Sequence, residues 1–236
     1  MIAPKTTDAV ILCGGKGERL QSVVSDKPKV LAEVNGQPFL EILVANLKRF
    51  GFQRFILSVG YKREAIIDYF KNRKEIVFSE EKTALGTGGG LKKARSLIKS
   101  DTFLALNGDS FCALDFNEFF SFHQQKKSLL SIVLTKSLEV KDYGTVTLDD
   151  SGRIKSFQEK IEGNSVRLVN AGIYLMQKEI FSQMPEKSAF SLEYDFFPKV
   201  KSSFGYITSA KLYDIGTPER YQIFLGTGPT RIGPVK

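Results

Sequence analysis

An α/β fold is predicted, built on a mixed but mainly parallel sheet covered by helices on both faces and followed by a small β-rich part. Three features of the sequence predict it. Short continuous apolar runs alternate with segments of helical periodicity through the first half of the chain. Those runs lack the in–out alternation of a half-exposed strand, so both faces of their sheet must be covered. The second half instead carries a hairpin signature, with strands on either side of Asp149-Asp150-Ser151-Gly152.

Residues 9–13 make the first strand, broken by Gly14-Gly15-Lys16-Gly17. Pro38 opens a helix whose apolar positions are Phe39, Leu40, Leu43, Leu47 and Phe50, and Gly51 stops it. Residues 55–59 are a second buried strand, and Ala65, Ile66, Tyr69 and Phe70 line the next helix. A third strand at 76–78 leads to a glycine-rich loop at 86–90, a helix at 91–98 and a fourth strand at 103–106. Asp115 caps a helix running to about Gln124. Strands follow at 130–135, in the hairpin at 145–148 and 153–157, and at 169–175. Thr217 caps a last helix with Pro218 in its first turn. The segment 226–236 is rich in Gly and Pro without periodicity, which predicts a flexible tail.

The chain has 236 residues, 42% of them hydrophobic and 25% charged, which suits one globular domain. No apolar run approaches the length of a membrane span, and residues 1–7 carry no apolar stretch of a signal peptide. A cytoplasmic protein with two reduced, buried thiols, Cys13 and Cys112, is therefore expected. His123 is the only histidine, so neither a zinc site nor a Ser-His-Asp triad has material to be built from. The net charge is +8, but it is scattered in short clusters such as Lys71-Asn72-Arg73-Lys74. That pattern favours small polyanionic substrates over nucleic acid.

Five segments carry candidate chemistry. In Leu12-Cys13-Gly14-Gly15-Lys16-Gly17-Glu18-Arg19-Leu20, glycines directly after a strand let backbone N–H groups approach an anion, and Arg19 adds a cationic fork. Neither GxGxxG nor Walker A is present. In Asp26-Lys27-Pro28-Lys29, Lys29 is a candidate partner for a triphosphate. Leu85-Gly86-Thr87-Gly88-Gly89-Gly90 marks a place of close approach. Asn107-Gly108-Asp109 ends the fourth strand, where ligands of open α/β sheets bind, and a carboxylate there suits Mg²⁺. Asp214, in Tyr213-Asp214-Ile215-Gly216-Thr217-Pro218, is a candidate second metal carboxylate. Alone, each also has a plain reading: a glycine-rich turn at 14–17, a solvated lysine at Lys29, a flexible hinge at 86–90, and turn aspartates at Asp109 and Asp214.

Taken in order, these segments resemble the sugar-1-phosphate nucleotidylyltransferases. Gly-Gly-x-Gly-x-Arg-Leu is matched at residues 14–20, Pro-Lys at Pro28-Lys29, Leu-Gly-Thr-x-Gly at 85–89 and Gly-Asp at Gly108-Asp109. Glu159-Lys160, the Asn-x-Gly-x-Tyr strand at 170–174 and Asp-x-Gly-Thr-Pro at 214–218 complete the array, over roughly residues 8–225. Within the family, Leu12-Cys13-Gly14-Gly15, Ser25-Asp26-Lys27-Pro28-Lys29, Pro38-Phe39-Leu40-Glu41, Leu57-Ser58-Val59-Gly60-Tyr61-Lys62, Tyr143-Gly144-Thr145-Val146 and Phe190-Ser191-Leu192-Glu193 resemble the guanylyltransferases acting on D-glycero-α-D-manno-heptose 1-phosphate.

The resemblance implies a single Rossmann-like nucleotidyltransferase domain at 1–225, with a nucleotide-binding part to about 115 and a sugar-phosphate-binding part from about 116. It implies transfer of a nucleotidyl group from GTP to that heptose 1-phosphate, with release of pyrophosphate. Mannose, glucose or N-acetylmuramate 1-phosphate with GTP, UTP or dTTP is the alternative, and an inactive regulatory relative the alternative of another class. Arg19, Lys29 and Asp109 become the catalytic set, and Asp109 and Asp214 the Mg²⁺ ligands. Leu12, Cys13, Gly14, Gly15, Gly17, Arg19, Lys29, Glu81, Gly86, Thr87, Asn107 and Gly108 are expected around the nucleotide. Among these, Glu81 is the candidate acceptor for guanine. Gly144, Glu159, Lys160, Asn170, Gly172 and Glu193 are expected around the sugar phosphate. Neither nucleic acid nor membrane is an expected partner, and a homo-oligomer remains open.

Overall fold

The computed structural model describes residues 2–137, 144–158 and 166–229. The chain enters β1 (Asp8–Cys13) and makes a small ribbon of β2 (Glu33–Val34) and β3 (Gln37–Pro38). It then alternates α1 (Phe39–Arg49), β4 (Phe55–Val59), α2 (Arg63–Phe70), β5 (Ile76–Glu80), α3 (Gly86–Ala94) and β6 (Thr102–Asn107). After β7 (Ser110–Cys112) and α4 (Phe116–Gln125) come β8 (Leu130–Ser137), β9 (Thr145–Leu148), β10 (Ile154–Gln158) and β11 (Arg167–Gln177). The chain closes with β12 (Ser203–Thr208), β13 (Leu212–Asp214) and α5 (Pro218–Thr227).

One nine-stranded sheet organises the molecule. Strands β5, β4, β1 and β6 are parallel neighbours, as expected where helices form the crossovers. Long β11 then runs antiparallel to β6, and its other edge takes β8, which pairs in parallel with β12. The start of β11 passes beyond β6 and meets β9 at Val169. The register slips between Asn170 and Tyr174, where Gly172 adopts φ +71°, a left-handed geometry costly for any residue with a Cβ.

Strand side chains divide between two cores. Ala9, Ile11 and Cys13 of β1 face the side covered by α1, α2, α4 and α5, while Val10 faces α3 and the buried segment around Phe190, Phe196 and Phe197. Helices on both faces, a single domain and the mixed sheet agree with expectation. The caps at Asp115 and Thr217 also form: Asp115 accepts from the N–H groups of Asn117 and Glu118, and Thr217 from that of Arg220.

Three expectations need correction. Residues 86–90 are not a loop; they form the first turns of α3, and only a 3₁₀ turn, Arg95–Leu97, follows Ala94. The buried face of α2 is Ile66 and Phe70, with Ile67 against the same core, whereas Ala65 is exposed and Tyr69 is 48% exposed. Gly226 and Thr227, expected in the tail, belong to α5; residues 230–236 lie outside the described residues. Among the described residues, no helix is long and apolar enough to cross a membrane.

Candidate functional site

The parallel strands deliver their carboxyl ends to one edge of the sheet, and the motif residues gather there. Gly14 follows β1 and is pinned on both sides. Its carbonyl accepts from Tyr61 N at 3.2 Å, and a Cβ on it would lie 2.9 Å from the Glu81 carboxylate. At Gly15 the loop opens, with no atom within 4 Å of where a Cβ would stand. Gly17 has φ +62° and lets the chain turn into the 3₁₀ turn Glu18–Leu20, whose buried Leu20 anchors Arg19 beside it. Gly108 follows β6 and donates its N–H to Leu12 O at 3.0 Å, locking the two strand ends together.

Lys29 opens a second 3₁₀ turn, Lys29–Leu31, held by the buried Val30 and Leu31. This aims its Nζ at Asp109 Oδ2, 2.5 Å away, with the two side chains 16% and 28% exposed. Burial works to raise the Asp109 pKa, but the Lys29 ammonium and a hydrogen bond from Ser110 outweigh it and hold the carboxyl below its ordinary value. Strand β13 pairs with β7 so that Asp214 stands opposite Ser110, and Ile215 N donates to Asp109 O at 2.9 Å. The two aspartates, 105 sequence positions apart, are thus brought to adjoining strand ends. Asp214 Oδ1 accepts from Gly216 N at 2.8 Å, and its Oδ2 lies 3.3 Å from Arg220 Nη1. Arg19 reaches the same turn: its Nη2 is 3.6 Å from where a Cβ on Gly216 would be.

Glu81 is buried against the loop. Its Oε1 accepts from Ser58 Oγ at 3.0 Å and its Oε2 from Leu85 N at 3.3 Å. Desolvation raises its pKa despite those donors. Cys13 is likewise buried, and its thiol is pushed up by desolvation and by the nearby Asp109 and Glu81, which disfavours the reactive thiolate. A cleft of about 320 Å³ runs from Leu12–Lys16 past Lys29 and Glu81 to Gly86, Thr87, Asn107 and Asp109. A second, of about 420 Å³, continues past Lys16 and Lys29 to Arg19 and Gly216. A larger cavity, about 750 Å³, shares Asp214 and Arg220 in its lining.

On the far side of β6, Gly172 lies under Asn107, whose Nδ2 would be 2.7 Å from a Cβ there. Asn107 Oδ1 is buried without a partner among the described residues. Asn170 N donates to Gly144 O at 3.0 Å, and Asn170 connects through Tyr174 to Glu193 and Thr87. The structure therefore brings together the expected nucleotide residues, both aspartates, and Gly144, Asn170, Gly172 and Glu193. Glu159 and Lys160 lie outside the described residues. Sequence reasoning missed Ser58, Arg220 and the role of the Tyr174 hydroxyl. Ser58 carried a signal, being the one polar residue in the apolar run of β4.

The nucleotidyl transferase family matches residues 8–222. The D-glycero-alpha-D-manno-heptose 1-phosphate guanylyltransferase of Campylobacter jejuni subsp. jejuni is 37% identical over 92% of this chain and 98% of its own length. The enzyme of the same name from Aneurinibacillus thermoaerophilus is 39% identical over 91% of this chain and 95% of its own. Among solved structures, HddC from Yersinia pseudotuberculosis complexed with GMP-PN superimposes with a TM-score of 0.84 at 35% identity, covering 94% of this chain and all of that one.

Proposed function

This chain belongs to the nucleotidyl transferase family, and from that premise we propose that it joins GTP to D-glycero-α-D-manno-heptose 1-phosphate, releasing pyrophosphate. The observation that carries the reading is the Lys29–Asp109 pair, set beside an open glycine loop and across from Asp214. In this reading a cation and a carboxylate pair stand where two polyanions meet.

In this reading, an oxygen of the sugar phosphate attacks the α-phosphorus in line. The bond to the β-phosphate breaks, and its electron pair leaves with pyrophosphate. No protein nucleophile takes part, so catalysis consists of positioning and charge neutralisation. The backbone of residues 14–17 and the Arg19 guanidinium hold the triphosphate, and Lys29 neutralises charge on the leaving side. Asn170 and Glu193 orient the sugar, as Glu159 and Lys160 would from outside the described residues.

Asp109 and Asp214 fit Mg²⁺ as a donor set. Both are carboxylates on adjoining strand ends, and the ion favours one or two such ligands together with phosphate oxygens. When bound, Mg²⁺ supplies charge neutralisation at the reacting phosphates. Lys29 and Arg220 are the cations paired with these carboxylates. The two buried, unpaired cysteines favour a cytoplasmic setting.

Base choice rests on Glu81. Guanine offers N1–H and N2–H₂ donors, and a buried carboxylate lining the cleft is a matching acceptor. A site that pairs buried polar groups rejects an analogue lacking them by roughly 10⁴-fold. The test is kcat/KM for GTP, ATP, UTP, CTP and dTTP with the heptose 1-phosphate held fixed. GTP should lead by that order, and Glu81→Ala should erase the lead. Preference for UTP or dTTP would overturn the guanylyl assignment.

A further inference from the structure

Thr87 stands in the first turn of α3, at the nucleotide end of the cleft, yet its hydroxyl turns toward the sugar side. Thr87 Oγ1 donates to Glu193 Oε2 at 3.0 Å, Ser191 Oγ donates to the same oxygen at 2.9 Å, and Tyr174 Oη donates to Glu193 Oε1 at 3.0 Å. An ionised carboxylate accepts only, so every hydroxyl facing it must spend its proton there. That fixes the direction of each bond behind it. The Thr87 oxygen is left to accept from Leu192 N, 2.9 Å away. The Tyr174 oxygen is left to accept, so the group of Asn170 that faces it at 2.9 Å must be the amide N–H. Asn170 Oδ1 then points the other way and accepts from Gly172 N at 2.9 Å.

Resting on the proposed function, we infer that Thr87, Glu193 and Tyr174 form a positioning relay for the sugar 1-phosphate. The relay fixes the Asn170 amide so that its second N–H and the remaining lone pair of Glu193 face a sugar hydroxyl. Thr87 therefore acts on the sugar through its side chain, although it sits against the nucleotide. A carboxylate has about four acceptor positions, and among the described residues three hydroxyls fill all but one. The second N–H of Asn170 and the fourth acceptor position of Glu193, neither of them engaged among the described residues, make a donor–acceptor pair, which suits a hydroxyl that must both accept and donate. Tyr174 is fully buried and its ring lies 4.9 Å from that of Phe197, so its own role is to orient Asn170 rather than to touch substrate.

The test compares Tyr174→Phe, Thr87→Val and Thr87→Ser by steady-state kinetics with GTP and the heptose 1-phosphate, with Tm measured alongside. Tyr174→Phe keeps the packed ring and frees the Asn170 amide to rotate. It should raise KM for the sugar phosphate about tenfold, the worth of one lost hydrogen bond, while KM for GTP stays within about twofold. Thr87→Val should show the same split, and Thr87→Ser, which keeps the hydroxyl, should restore it. A rise in KM for GTP alone in Thr87→Val, or unchanged sugar-phosphate KM in Tyr174→Phe, overturns the relay. Because Thr87→Val also leaves Leu192 N without an acceptor, Tyr174→Phe and Thr87→Ser decide the matter if it folds poorly. If the unsubstituted enzyme releases no pyrophosphate from GTP and a sugar 1-phosphate, the underlying reading fails and the relay with it. If that enzyme is active but the variants match it, only the relay fails.

Discussion

At the scale of single residues, the site is a set of charges held in place by their neighbours. Asp109 keeps its charge because Lys29 stands 2.5 Å away, although burial works against it. Asp109→Asn preserves shape and removes that charge. The fold should survive, and kcat should fall by roughly 100-fold or more, the scale of losing a preorganised electrostatic contact. Chelation by EDTA should abolish turnover of the unsubstituted enzyme. Full activity in either experiment would remove Asp109 from the proposed metal site. Gly14, Arg19, Lys29 and Asp109 were legible because their motifs keep charge and glycine at fixed spacing along a short stretch of chain. Arg220 was not: it reaches Asp214 from the first turn of α5, six positions on, and the motif readable there ended at Pro218.

At the scale of elements, α3 shows why local propensity misleads. Each glycine in a helix costs about 1 kcal/mol relative to alanine, so a run such as Gly86-Thr87-Gly88-Gly89-Gly90 reads as a loop. Packing reverses that reading. Gly88 and Gly89 donate to Phe190 O, and the segment 188–190 lies so close that a Cβ on Gly89 would stand 2.2 Å from Ser188 O. On Gly88 it would meet the Phe190 ring at 2.3 Å. The small residues exist to admit that segment, which carries Ser191 and Glu193 to the site just beyond it. Gly89→Ala should therefore destabilise despite its better propensity, by about 1–3 kcal/mol, as overpacking does. Urea unfolding measures this, and a stabilised variant would show that segment 188–190 yields freely. Gly15→Ala is the contrasting case. No atom lies within 4 Å of its Cβ position, so its stability should be unchanged. The other strands and caps were readable because their apolar runs and capping residues are local; β2, β3, β7, β12 and β13 are short or partly polar and exist through their pairing.

At the scale of the whole molecule, the sheet is tied together at a point away from the site, and that point sets how the fold responds to acid. His123 of α4 is buried between β8 and β11, with Nδ1 2.8 Å from Ser131 Oγ and Nε2 3.1 Å from Gln177 Nε2. Gln177 Oε1 accepts from Thr102 Oγ1 at 2.9 Å, which turns its amide N–H toward the ring. The ring must then accept at Nε2 and carry its hydrogen at Nδ1. A second ring proton would face a donor and would strip the bond that links α4 to β11. Burial pushes the His123 pKa from 6.5 down to about 4, and this donor arrangement acts in the same sense. The folded-state value lies below the unfolded one, so the unfolded chain takes up a proton first as pH falls. Stability from the neutral ring is whole above about pH 6.5 and is lost as pH falls toward about 4, reaching about 3 kcal/mol in all. Between pH 7.5 and 5.0 the loss from this residue should be about 2 kcal/mol. Unfolding free energies in urea at those two values measure it. Carboxylates also titrate toward the acid end, so the comparison is with His123→Asn, which lacks the titrating group. That variant starts less stable, but its fall between the two pH values should be smaller by the same amount. Parallel falls in the two proteins would mean that His123 takes up its proton as readily in the fold as in the unfolded chain, which the Thr102–Gln177–His123–Ser131 arrangement does not allow.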